Sequence, residues 1–325
     1  AGEYSSQLRY AISPGMAGSH ALARVHLQLL EHLQTNLDGA CRDLDSEFLH
    51  DLRAAASRAE LLLSKLPGAF PGVDTGRYRE EFAWLEKVSR PTRQMDVYLM
   101  LLEEYKSRLP PGQGSYLEPF RSFLRDHKLS EHRDLNVALQ SPRYHRLVEG
   151  WRKLLEHQLA RPQDPAEAPV EALAAGLVGP AYEALLTQGR QIGDNTPAAP
   201  LIELNKACKE LQYLLEFFRT LCHEKRLNQI KRRLDRLQDN LETFEDLELQ
   251  QQRLRRYIAE MRVEQRLVQQ AALEAMDLLI QDMAEREVNV RKGFAKRFAK
   301  FSDDECQNRM QALFSPPAGP QPETR

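Results

Sequence analysis

Aromatic side chains are scarce in this 325-residue sequence, at 7% of positions, and the shortage bears on function. Proteins that hold single-stranded nucleic acid without sequence preference stack bases on aromatics set among their cations. Few are interleaved with the basic residues here, which argues against nucleic acid as the partner. Cysteine is scarcer still. Cys41, Cys208, Cys222 and Cys306 lie far apart, with no CxxC pair and no Cys/His ligand spacing. They read as reduced thiols of a cytoplasmic protein, and no metal site is expected. No apolar run approaches the roughly 18 residues that span a bilayer, and the opening AGEYSSQLRY contains no signal-peptide core. Walker loop, GxSxG elbow, zincin motif and Gly-rich dinucleotide turn are all missing, so nothing points to an enzyme or to a bound cofactor. The net charge is only −2, so the chain as a whole is not a basic polymer binder.

What is present is helical. Hydrophobic residues reach 42%, enough for a folded core, and Leu, Ala, Glu, Arg and Gln recur in long runs that lose little rotamer freedom in a helix. Strand alternation is nearly absent, whereas 3.6-residue periodicity predicts helices at about 19–38, 44–66, 77–90, 92–108, 115–128, 130–139, 142–160, 168–192, 200–222, 225–253, 258–284 and 286–301. Breaks fall at LPGAFPGVDTG, LPPGQGS, RPQDPAEAP and GDNTPAAP. Leu227, Ile230, Leu234, Leu237, Leu241 and Phe244 form the clearest bundle seam.

A shift of 152 residues lays FLHDLRAAASRAELLL over PLIELNKACKELQYLL and TRQMDVYLMLLEEY over FEDLELQQQRLRRY. Leu52, Ala55, Leu62 and Leu63 then meet Leu204, Ala207, Leu214 and Leu215, and Tyr105 meets Tyr257. One offset serving two separate segments predicts an all-α fold of two related helical bundles in one chain. The expected halves are residues 1–165 and 166–305, followed by a Pro-rich, disordered tail at 306–325.

Within 48–63, His50, Arg53 and Ser57 share one helical face, while Leu52, Ala56, Ala59 and Leu63 share the opposite one. The shifted helix carries Lys206 and Lys209 on the matching arc, with Asn205 at the Arg53 position and Ile202 at the His50 position; Arg79 likewise meets Lys231. Further cations crowd residues 219–236, and the final helix adds Arg291, Lys292, Lys296, Arg297 and Lys300, whereas acids concentrate in DNLETFEDLE at 239–248. Two readings stand at this point. The cations line an anion-binding furrow, or they are the ordinary solvated faces of helices with i,i+4 partners. The last helix has its own pair of readings: a basic amphipathic element for a membrane surface, or a helix whose Phe294, Phe298 and Phe301 pack into the bundle.

These residues carry a family resemblance. HDLRAAASRAE resembles the pattern H-x-x-R-V-A-x-R-R-x-R of CHAD domains, the conserved-histidine α-helical domains, through His50, Arg53 and Arg58; Ser57 and Glu60 depart from it. RPTRQMDV resembles the next family marker, G-P-x-R-D-x-D-V, through Pro91, Arg93, Asp96 and Val97, with Arg90 in the Gly position. LIELNKACKELQYLLEFF is similar to the second-half marker in Lys206, Lys209, Tyr213 and its LEFF ending; Ile202, Asn205 and Gln212 replace His, Arg and Arg. The resemblance runs over roughly residues 5–301 and implies two pseudo-symmetric helical bundles around a basic groove or pore.

The resemblance implies non-enzymatic binding of inorganic polyphosphate in the cytoplasm, with bacterial relatives found on polyphosphate granules and other granule proteins as further partners. The residues it points to are His50, Arg53, Arg58, Arg79, Arg90, Arg93, Lys206, Lys209 and Lys231, with the stronger contacts in the first half. A linear polyanion needs a line of cations, since one charge-assisted bond contributes only about 1.5–3 kcal/mol. The other reading is a protein–protein scaffold with weakened or altered anion binding.

Overall fold

The computed structural model describes residues 10–70, 72–264 and 270–314. Among them the fold is all-α, and the one β-like pairing is an isolated bridge between Ala17 and Pro169. The helices are α1 (Gly18–Thr35), α2 (Leu37–Cys41), α3 (Ser46–Lys65), α4 (Gly76–Arg108), α5 (Glu118–Leu139) and α6 (Pro142–Ala160). They continue as α7 (Val170–Gly189), α8 (Ala198–Phe217), α9 (Glu224–Glu264), α10 (Gln270–Lys292), α11 (Phe294–Phe301) and α12 (Asp304–Gln311). Local chemistry sets their ends. Asp45 caps α3 by accepting from the Glu47 N–H at 2.9 Å, Asp303 caps α12 by accepting from the Cys306 N–H at 2.8 Å, and prolines precede α7 and α8. In the LPPGQGS turn, Gly112 takes a φ of +86°, a conformation that side-chain-bearing residues rarely adopt.

Four expected breaks are bridged, at 91, 129, 254–257 and 285. Helices predicted at 77–90 and 92–108 are the single α4, with Pro91 inside it. Proline removes a backbone donor and pushes the preceding turn open. Side chains serve the carbonyls there: the Ser89 hydroxyl donates to Leu85 O at 2.7 Å, and Arg53 donates to Glu86 O at 2.7 Å. The expected breaks near 129, 254–257 and 285 also disappear, because none of these sites has a proline or glycine to force one. The disordered tail expected from residue 306 is corrected over its first part. Asp303 starts α12 there, and Cys306, Met310 and Leu313 are buried. Residues 315–325, also expected to be disordered, lie outside the described residues.

The helices gather into two units, each assembled from separate stretches of chain. One comprises His26–Ala160 and Asp246–Asn289, and is called here the α3–α6 unit. The other, the α7–α8 unit, comprises the stretch ending at Val25, then Arg161–Glu245, and the stretch from Val290 onward.

In the α3–α6 unit, the leucine-and-alanine face of α3 (Leu49, Leu52, Ala56, Ala59, Leu63) is buried, and α3 packs against α4. Each leucine fully buried in this way contributes about 1.5–3 kcal/mol. Trp151 is fully buried, with the rings of His26, Phe70, Tyr78 and Phe82 around it. Lys128 on α5 reaches the buried carboxylate of Asp96 at 2.9 Å and Asp43 at 2.8 Å, tying the α2–α3 turn to α4. In the α7–α8 unit, Leu204, Cys208, Leu211 and Leu215 of α8 are buried, as is the α9 seam from Leu227 to Phe244. No helix among the described residues is long and apolar enough to cross a membrane.

Candidate functional site: a guanidinium cluster on α3 and α4

The packing of α3 on α4 determines which cations meet. With its leucine face buried, α3 turns the side bearing Arg53 toward the α4 turn that precedes Pro91. Arg53 Nη1 donates to Glu86 O at 2.7 Å and to Ser89 Oγ at 2.6 Å. Two turns away, Arg93 donates to Ser46 O and to His50 Nδ1, both at 3.3 Å. Accepting from a guanidinium requires a neutral imidazole with its Nδ1 lone pair directed at Arg93.

Electrostatics bind the cluster together. Burial holds the Arg53 guanidinium below its usual range; Glu86 opposes this, and the charges of Arg90 and Arg93 add to it. His50 is likewise lowered, by burial first and then by Arg93; Glu47 and Asp51 oppose, and Arg58 lowers it further. Five predicted residues are therefore brought together: Arg58 and Arg93 act on His50, and Arg90 and Arg93 act on Arg53. Of these, Arg90 and His50 are exposed, while Arg53, Arg58 and Arg93 are half-buried. Arg79 is exposed and stands apart, about 10 Å along α4 from Glu86 by helix rise. It acts on Glu60, whose carboxyl burial pushes up and Arg79 pulls back.

The three cations predicted from the second half lie in the other unit, with carboxylates around them. Lys209 pairs with Glu242 at 3.1 Å and Lys206 with Glu203 at 2.6 Å. Lys231 lines a shallow cleft with Arg219, Asn228, Arg232 and Asp235. There burial raises the Asp235 carboxyl and Lys231 draws it down. Asn205, at the Arg53 position of the shift, is buried and donates to Glu245 at 2.5 Å.

The acids of DNLETFEDLE therefore do not lie away from the lysines. Glu242 pairs with Lys209, and Glu245 accepts from Asn205. A sequence signal for this existed but was not used: the same 152-residue shift sets Arg58, Arg90 and Arg93 against Glu210, Glu242 and Glu245. The arginine of α3 thus has an acidic counterpart on α8, and the two of α4 have theirs on α9. Sequence reasoning also missed Glu86 and Ser89, which hold Arg53; their role depends on the opened turn before Pro91.

Comparison with known proteins agrees with this organisation of helices. The sequence profile of the CHAD domain matches residues 24–255. The fold is similar to the crystal structure of the CHAD domain from the plant Ricinus communis, with a TM-score of 0.74 and 21% sequence identity over 90% of this chain and 95% of that one. It is also similar to PptA from Streptomyces chartreusis, with a TM-score of 0.59 and 17% identity over 87% of this chain and 99% of that one. Among curated proteins no sequence matches. Since the profile covers well over half of the chain, and α3 to α9 carry the markers in order, the protein belongs to the CHAD-domain family.

Proposed function

We propose that the protein binds inorganic polyphosphate without transforming it, and that the α3–α4 face of the α3–α6 unit makes the principal contacts. One observation carries this reading. Arg93 bonds His50 on α3, the charges of Arg58 and Arg93 act on His50 and those of Arg90 and Arg93 on Arg53, and Arg90 and His50 reach solvent. Guanidiniums held this close repel one another, and an anion laid across them relieves that repulsion. Arg90 and Arg93 are the main contacts in this reading, each offering a planar fork to phosphate oxygens. Arg53 supplies charge while its Nη1 stays with α4. His50 holds Arg93 until phosphate replaces it.

Family membership supports the ligand class, through the implication of polyphosphate that the resemblance carries. Attachment to polyphosphate granules in the cytoplasm belongs to the same proposal. Lys206 and Lys209 have a minor part in it, because Glu203 and Glu242 already neutralise them. Those two ion pairs also favour, as a second reading, a helical scaffold whose anion binding is altered.

Titration with long-chain polyphosphate, short oligophosphate and single-stranded RNA at two salt concentrations tests the proposal. The expected order is long-chain polyphosphate first, weakened at the higher salt. Absence of salt-sensitive polyphosphate binding sinks it, and tighter RNA binding replaces it with a nucleic-acid reading.

A further inference from the structure

With its predicted lysines facing acids, the α7–α8 unit still has one dense positive surface. Val288–Ser302 contains Arg291, Lys292, Lys296, Arg297 and Lys300 and not a single Asp or Glu. Arg291 is occupied internally: it donates to Thr196 O, and its guanidinium lies 5.9 Å from the centre of the Phe244 ring. The other four are exposed.

Their arrangement follows from helix geometry. Lys292 ends α10; on α11, at about 100° per residue, Lys300 falls about 40° and Arg297 about 100° from Lys296, while Phe294, Phe298 and Phe301 lie on the far side. The structure agrees. Phe294 and Phe301 are buried, and Phe298 stacks on Phe294 and lies against Gly189, where a Cβ would overlap its ring. The carboxylates just beyond the helix are largely engaged: Asp303 and Glu305 hold Arg233, and Glu305 also holds Arg309. Asp304 is the exposed acid nearest in sequence.

We infer that Lys292, Lys296, Arg297 and Lys300 form a second polyphosphate contact, on the α7–α8 unit and outside the span 24–255 that matches the family. The inference rests on the polyphosphate reading above and moves this unit's contact from Lys206, Lys209 and Lys231 to α11 and the end of α10. Lys296 and Lys300, one turn and about 6 Å apart along α11, with Lys292 just before the helix, suit an extended chain of charges, and no pocket is needed. Phe294 and Phe301 are buried and Phe298 lies against Gly189, so no aromatic is turned outward for a bilayer, and a membrane surface is disfavoured. No exposed aromatic sits among the cations, which disfavours nucleic acid.

The test compares wild type, the quadruple variant K292Q/K296Q/R297Q/K300Q and the charge-keeping K292R/K296R/K300R in polyphosphate titrations across salt. A double variant, R90A/R93A, serves as the reference for the α3–α4 face. All four substituted positions are exposed, so an unchanged melting temperature is expected and is verified first. The quadruple variant is expected to lose at least about tenfold in affinity at low salt. Its log–log salt slope should flatten by about 2–3, at about 0.7 per lost contact with a flexible strand, while the arginine variant keeps both. Unchanged affinity and slope in the quadruple variant, with a loss in R90A/R93A, overturn this inference and leave the α3–α4 reading standing. No binding in wild type overturns both. Binding of wild type to phosphatidylserine vesicles that the quadruple variant loses, with polyphosphate affinity intact, reassigns the surface to membranes and overturns the inference.

Discussion

His50 accepts from Arg93 only while it is neutral, so the two side chains respond to pH together. Burial and Arg93 keep the imidazole below its usual 6.5 in the free protein. A bound phosphate favours the charged form and raises that value. Affinity for polyphosphate should therefore rise as pH falls below about 6.5, where the complex takes up a proton that the free protein does not hold. Titrations at pH 5.5 and 7.5 check the sign, and the dependence should vanish in His50→Gln. Arg53 behaves differently from its neighbours, because it is bonded to Glu86 O and Ser89 Oγ. Arg53→Ala should lower thermal stability by about 1–3 kcal/mol through unsatisfied groups on α4, with a smaller effect on affinity than Arg93→Ala. The cations of this site were legible in the sequence from their helical face. Whether each faced solvent or a carbonyl was not, because that depends on where Pro91 opens α4.

Helix α4 shows how one element can hold both scaffold and site. Its family-marker residues divide the work: Pro91 opens the turn that receives Arg53, Arg93 meets His50, and Asp96 points inward to Lys128. Asp96 is buried, so Asp96→Ala leaves Lys128 half-buried with Asp43 as its remaining partner. A loss of about 3 kcal/mol is expected in chemical denaturation, with binding per folded molecule retained. Helix positions could be read from periodicity and turn chemistry, and breaks failed where only a change of pattern suggested them, as near 129 and 254. Helix α9 gave the opposite lesson. Its apolar seam is plain in the sequence, yet the acids between the seam residues read only as a concentration away from the cations. Glu242 and Glu245 face α8, because the spacing that buries Leu241 and Phe244 on α9 sets those acids beside Lys209 and Asn205.

For the whole molecule, a net charge of −2 conceals strong segregation: cations on α3, α4 and α11, and acids opposite the α8 lysines. Fold class was the easiest property to read, because periodicity covers nearly the entire chain. Residues 246–289 packing with 26–160 had no local signature, since a continuous α9 carries the chain from one unit to the other. Global stability should also depend on acid. His26 is fully buried beside Trp151 and Phe70, and burial lowers its value to about 3. The unfolded chain binds a proton there from about pH 6.5 downward and the folded chain does not. Stability is therefore complete above that pH and falls by roughly 1.4 kcal/mol per unit toward pH 3. Denaturation at pH 7 and pH 5 should show this slope, and His26→Phe should remove it.

In the proposed mode the α3–α4 arginines hold the anion and the α8 lysines do not, which polyphosphate titration of R90A/R93A beside K206A/K209A decides. The arginine variant should lose about 100-fold or more, at about 1.5–3 kcal/mol per contact, and its log–log salt slope should flatten by about 1.4. The lysine variant should stay within about threefold of wild type, since Glu203 and Glu242 already neutralise those charges. The reverse ranking, or equal losses in both variants, contradicts the claim.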